Sequence, residues 1–442
     1  MSTIKIKRSD TPNSVPAPED LVLGELAVNT HDGKMFFKKD ENGNIQVVDV
    51  GMPDRTDNVL YVSKTGDDTN SGDTIHDSFS TIDQALSVAT NGTTIFVKSG
   101  DHTIDNSAGG VNVPSFVSIV GDNLRTTNIY GSNPDNDLFY VNNGSFITGV
   151  TFRGHQNGAA AVSFNPDGSA GAITTSPYVQ NCSSITTTGV GMRVDGSYVS
   201  GLRSMVSDAF TQINFGGKGI HLLNMGYAQL VSIFTVSCDV AILAESGGTC
   251  SLTNSNCSFG NYGLKATGLG PNLYSGSIVS ESLDQTSTVV VSGLSEKPKY
   301  GDAIQFNSED FYYTVDEATD LVNGESTITL NETLTRVISP GETVDFFQRS
   351  LITASSITFE YVGTGIDVYS TPRSGAFPIQ ENEVIQDDNG AGKVYYTSTD
   401  QKGDFRIGGE LTINRTTGTI EGNTFDRSLF AVLTPYILAL ED

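Results

Sequence analysis

From Val117 to Leu269 the chain is written in short β-branched runs that lack helical periodicity. Val117-Ser-Ile-Val120, Phe146-Ile-Thr-Gly-Val-Thr-Phe152 and Cys250-Ser-Leu-Thr-Asn-Ser-Asn-Cys-Ser-Phe259 are typical. Gly, Asn and Ser turns separate the runs, and the unit recurs at roughly 20–25 residues. A repeat of that length buries its inner face only against the repeats beside it. The pattern therefore predicts a right-handed parallel β-helix, within a module spanning 53–285. Such an architecture limits the function to a rigid spacer, a sugar-binding surface or a polysaccharide-cleaving groove.

The flanking text obeys other rules. Residues 1–52 alternate in short strands, with tight turns at Asp32-Gly33 and Asn42-Gly43 that signal hairpins. So small a unit holds little core of its own and needs a partner chain. Ser80 or Thr81 can cap a short helix whose Ile82, Ala85, Leu86 and Ala89 share one face. That helix is suited to plug the open end of the solenoid. From about Thr286 the period is two. Val289–Gly293, Gly301–Phe306, Phe311–Val315, Ser326–Leu330 and Glu342–Phe347 predict a small antiparallel barrel over 286–351. Residues 352–442 form a last β module, and its apolar end, Leu429 to Leu440, would be a liability on a monomer.

Charge narrows the partners. Twenty-five basic against 51 acidic residues give a net charge of −26, which repels nucleic acid and anionic membrane surfaces. The four cysteines, Cys182, Cys238, Cys250 and Cys257, fit no zinc spacing and read as buried fillers of the solenoid. Free thiols suit assembly in a reducing cytosol. Met1 to Arg8 has no apolar stretch of the signal-peptide kind, and Leu429 to Leu440 is too short to span a bilayer.

Three stretches resemble known families. Lys5-Ile-Lys-Arg-Ser9, Leu23-Gly-Glu-Leu-Ala-Val-Asn29 and Asp32-Gly-Lys34, in this order, resemble the N-terminal module of bacteriophage tail fibres. The resemblance implies a particle-facing, trimeric attachment unit. Leu60-Tyr-Val-Ser-Lys-Thr-Gly-Asp-Asp-Thr-Asn-Ser-Gly-Asp73 with Phe79–Ala89 looks like the start of pectate-lyase-type β-helices, which serve lyases and phage tailspikes alike. Phe359-Glu-Tyr-Val-Gly363, Tyr395-Tyr-Thr-Ser-Thr-Asp-Gln401 and Gly403-Asp-Phe-Arg-Ile-Gly408 look like a module of T4-like cyanophage virion proteins. Together these imply an all-β, homotrimeric virion structural protein: a tail fibre, spike or other appendage, assembled in the host cytoplasm. Its partners would be its own copies and other virion proteins of the tail, baseplate, collar or capsid, with a host surface glycan as a further candidate. The alternatives are a tailspike depolymerase and a receptor-binding adhesin.

The candidate chemistry is sparse. A glycosidase on a solenoid needs paired carboxyls on neighbouring rungs, ~4.8 Å apart. Asp195, Asp208, Asp239 and Glu245 are available, but the gaps from 195 to 208 and from 208 to 239 match no single coil length. Arg193 and Arg203 could supply charge to a lyase, yet no Asp pair accompanies them. Asp67, Asp68 and Asp73 form a dense acidic loop that lacks the terminal Glu of an EF-hand. Tyr227 and Tyr262 could stack on a sugar in a chain without Trp. His76, His102, His155 and His221 suggest no Ser-His-Asp set. The expectation is a protein that is not an enzyme, with no catalytic, cofactor or metal residue.

Overall fold

The computed structural model describes residues 6–41, 43–49, 58–307, 312–330, 333–360, 364–369, 383–387, 390–394, 402–403, 411–413 and 420–422. The chain divides into two compact units, 1–59 and 60–442.

In the first unit Leu26–Asn29, Lys34–Glu41 and Asn44–Asp49 form an antiparallel meander, and Lys7–Ser9 adds in parallel to the first of them. The motif asparagine explains the local geometry. Asn29 Nδ2 donates to Thr11 O, Ser14 O and Asp32 Oδ2, while its Oδ1 accepts from the amides of His31 and Asp32. One side chain thus ties the proline-rich loop to the Asp32-Gly33 turn. The buried core is Leu21, Ala27 and Phe36, backed by Val47. Among the described residues more large apolar side chains are exposed than buried, including Ile6, Val15, Val22, Leu23 and Ile45.

The second unit is all-β apart from one described α-helix, Ile82–Val88. Thr81 caps that helix by accepting from Gln84 N, and Ile82, Ala85 and Leu86 are buried against the first coils. The parallel solenoid expected from the repeat is present. Its first face runs through Thr94–Val97, Ser118–Gly121 and Phe146–Thr148 into the long strands Tyr178–Thr187, Ser204–Phe215, Tyr227–Val236 and Thr249–Ser258. These long strands bend midway, so their second halves continue a second face begun by Gly100–Ile104, Thr127–Gly131 and Thr151–Arg153. The bend residues Asn181, Ala209, Ser232 and Asn254 stack in register, all with φ near +50°. Asn tolerates that conformation, but Ala and Ser rarely adopt it. The corner is imposed by the coil. A third face carries Val111–Val113, Phe139–Val141, Ala160–Ser163, Val190–Asp195, Lys218–Leu223, Val240–Glu245 and Tyr262–Thr267.

Coil length varies more than the repeat suggested. Phe146 pairs with Tyr178, Tyr178 with Val206, Val206 with Gln229 and Gln229 with Ser251, giving steps of 32, 28, 23 and 22 residues. Inside, Phe139, Phe152 and Phe210 contact edge to face at 6.2 and 6.1 Å, and all three are fully buried. The four cysteines are free and buried, and Cys182, Cys250 and Cys257 belong to the same core.

The expected boundaries at 285/286 and 351/352 need correction. The barrel is closed by Leu269–Ile278, Thr288–Ser292, Ser326–Leu330, Tyr313–Ala318, Ala303–Phe306 and Thr343–Arg349, so it begins at Leu269. The solenoid then resumes. Leu351–Glu360 pairs in parallel with Thr249–Ser258, and Thr364–Tyr369 with Tyr262–Thr267. The barrel is therefore an insertion at a solenoid corner rather than an appended module. Ser350 pins the two crossings together: its Oγ donates to Thr267 O and Gly268 O and accepts from Gly247 N. The apolar stretch from Leu429 to Leu440 lies outside the described residues.

Candidate functional site

The four candidate acids fall on different parts of the solenoid. Asp208 faces outward on the first face, where Gln180 Nε2 donates to its Oδ2 at 3.4 Å. Asp239 sits at the corner before the third face and accepts from Asn261 Nδ2. Asp195 and Glu245 share one column of the third face, because Asp195 pairs with Leu223 and Leu222 with Ala244. Two rungs separate them, ~9.6 Å along the axis. Asp195 is committed to its own turn, accepting from Ser197 N, Ser197 Oγ and Asn224 Nδ2. Glu245 instead meets His221, Oε1 to Nε2 at 2.7 Å, from the neighbouring rung. That hydrogen bond holds the Glu245 carboxyl below the usual range despite partial burial.

Arg193 is anchored too, bonding Asp137 and Gly158 O, while Asp137 also accepts from Ala160 N and Ser163 Oγ. Arg203 NH1 reaches Met225 Sδ at 3.7 Å. Ser184 Oγ lies 3.3 Å from His155 Nε2, but both are buried inside the coil, and burial pushes the imidazole down to about 4. In the acidic loop, Asp67 accepts from Thr69 N and Oγ1. Asp68 accepts from Ser80 N, Thr81 N and Thr81 Oγ1, which fastens the loop to the start of the capping helix. Tyr262 carries the Lys265 ammonium 4.2 Å above its ring.

Tyr227 stands elsewhere, on the wall of a groove of about 410 Å³. One wall is the outer side of the solenoid's first face, with Tyr227, Thr249, Ser251 and Thr353. The other is the barrel turn Lys299-Tyr-Gly-Asp302. Gln348 and Arg349 close the floor where the barrel rejoins the coil, and Gln348 Nε2 donates to Gly247 O at 2.6 Å. Tyr300 is 54% exposed and Tyr227 38%. Asp302 is 7% exposed, with its Oδ2 accepting from Lys299 N at 2.9 Å. Burial raises its carboxyl to about 6, with the Lys299 amide and ammonium pulling the other way. Sequence reasoning found Tyr227 but missed Tyr300 and Asp302, because nothing in the local text says that the barrel turn lies against the coil.

A further surface runs over the second face. Ile185, Ile213 and Val236 pair in register across three rungs, all half-buried. Phe215, Phe234 and Phe259 flank them, each about half exposed. The other outward positions on these rungs are Thr187, Thr211, Asn256 and Ser258, so the stripe is uncharged over them, and Arg153, paired with Ile185 on the preceding rung, bounds it.

No family model matches the chain, and no curated protein matches its sequence. Among solved structures it is similar to a pectin methylesterase in complex with a hexasaccharide (10% identity, TM-score 0.27, covering 46% of this chain and 70% of that one). It is also similar to a rhamnogalacturonan lyase (12%, 0.25, 47% and 71%). A third match is ORF18 of Geobacillus virus E2 (13%, 0.23, 95% and 100%). Overlaps this loose decide neither fold nor function.

Proposed function

We propose that this chain is a bacteriophage virion structural protein, forming a homotrimeric tail fibre, spike or other particle-bound appendage. The observation that carries the reading is the uncharged apolar stripe on the second face. In a chain of net charge −26, that is where two copies approach at least electrostatic cost. An exposed apolar stripe this continuous is an association surface. The first unit supports the same reading, since among its described residues the core of three side chains is too small for independent stability. The number three, and attachment of the first unit to other virion proteins, follow from the tail-fibre resemblance.

Light scattering of the full chain tests the assembly. A trimer is expected, and Ile213→Asp with Val236→Asp should yield monomers whose circular dichroism is unchanged. A wild-type monomer would sink the trimer. Immunogold labelling of intact particles tests location, and particles bare of label would remove the virion role.

One observation favours a second reading, cleavage of a host surface polysaccharide. His221 and Glu245 form an adjacent-rung pair at the solvent edge of the third face. A reducing-sugar assay decides between the two. Activity that disappears in His221→Ala and Glu245→Gln would replace the structural reading.

A further inference from the structure

We infer that the groove between the solenoid and the inserted barrel is a binding site for an uncharged saccharide, with Tyr227 and Tyr300 as stacking platforms. This inference goes beyond the virion role and does not rest on it. The groove presents two exposed tyrosine rings from separate modules, one on a solenoid rung and one on a barrel turn. The same groove is lined by Asp302, Gln348 and Arg349, whose polar groups are fixed by bonds to Lys299 N, Gly247 O and Tyr313 O. A sugar ring offers an apolar face of C–H bonds and a rim of hydroxyls that donate and accept. Aromatic faces paired with a few fixed polar groups match that chemistry.

The volume, about 410 Å³, lies in the range of small-ligand pockets. Rigidity helps. The solenoid wall is a backbone ladder, the barrel turn is tied to Val315 by Gly301 N and Asp302 O, and the Ser350 hydroxyl bonds both chain crossings, so little ordering entropy is lost on binding. The groove is also open along the solenoid. Thr353, Ser251, Gln229, Val206, Tyr178 and Phe146 stand in one outward column of successive rungs. Tyr178 and Phe146 meet further along it, their centroids 5.6 Å apart and their rings tilted by 57°. A polymer can therefore continue beyond the groove over a surface of hydroxyl, amide and aromatic groups. Charge selects the class. A net charge of −26 opposes a polyanionic glycan, and Asp302 would face its carboxylates at short range. A neutral hexose polymer meets neither penalty.

The absence of Trp gives a direct readout. Tyr300→Trp keeps the platform and installs a single indole in the groove. The full-length variant is titrated with maltohexaose, cellohexaose and mannohexaose, with trigalacturonate as the anionic probe. At least one neutral hexasaccharide should shift the indole emission in a saturable way. Tyr227→Ala in the same background should weaken the binding by about tenfold or more. Retention of wild-type and Tyr300→Ala chains on the matching immobilised glycan provides the same comparison without the indole. Circular dichroism and light scattering should stay unchanged, because both rings are surface groups. No neutral probe bound up to about 10 mM would overturn the proposal. So would binding that ignores both tyrosine substitutions, or tighter binding of trigalacturonate.

Discussion

Asp302→Asn should stabilise the inserted barrel at neutral pH and remove a pH dependence that the wild type shows. Asp302 is almost fully buried, and burial holds its carboxyl at about 6 instead of 3.8, with Glu296 adding repulsion and Lys299 opposing it. Between those two values the folded chain binds more protons than the unfolded one. Stability contributed by this group is therefore present at low pH and lost as pH rises through about 6. Each pKa unit corresponds to ~1.4 kcal/mol, so the loss approaches about 3 kcal/mol. The window must be chosen with care, because Glu342 in the same barrel runs the other way. Its bonds from Arg336 hold it below the usual range, so its contribution is lost only in stronger acid. Between about pH 4.5 and 7.5 Asp302 dominates. Native-state hydrogen exchange of barrel amides such as Val315, which donates to Asp302 O, reads the opening free energy directly. The wild-type value should fall by about 2 kcal/mol across the window, while Asp302→Asn stays flat. A flat wild-type profile, or the same slope in both proteins, would refute the reasoning.

Three further outcomes follow from the packing. Phe152→Ala removes a fully buried ring with two aromatic neighbours and should cost about 4–5 kcal/mol. Exchange protection should drop in the rungs around it and stay intact in the barrel, since solenoid coupling is nearest-neighbour. Asp68→Ala deletes three acceptor bonds at the start of the capping helix, so limited proteolysis should cut near residue 80 sooner than in wild type. Burial raises the Cys182, Cys238 and Cys257 thiols to about 12 and Cys250 higher still, so a thiol reagent at pH 8 should label none of them until denaturant is added.

What could be read from the text was whatever is local. The apolar runs of the solenoid, the helix face of Ile82, Ala85 and Leu86, and five of the six barrel strands lie within one element each. The missed strand, Leu269–Ile278, shows why. Its sequence, Leu-Gly-Pro-Asn-Leu-Tyr-Ser-Gly-Ser-Ile, suits a parallel rung as well as an antiparallel barrel strand, and short apolar runs do not reveal their partners. Coil steps that shrink from 32 to 22 residues likewise hid the column shared by Asp195 and Glu245.

The insertion is the deeper case. Thr249 pairs with Leu351, 102 residues later, without losing register with the rungs below. That is possible because the barrel leaves at a corner, where the ladder has no strand to interrupt and loops are free to lengthen at small entropic cost. A corner insertion keeps both folds intact and forces their surfaces together at the crossing points. The groove is the product of that constraint. Tyr227 and Tyr300 are 73 residues apart, one on a solenoid rung and the other on a barrel turn, so the local pattern of neither contains the other. A site built this way is set by where the chain crosses. Lengthening the Gly268 or Ser350 crossing would therefore open the groove while leaving solenoid and barrel each folded, which no substitution within a single rung can do.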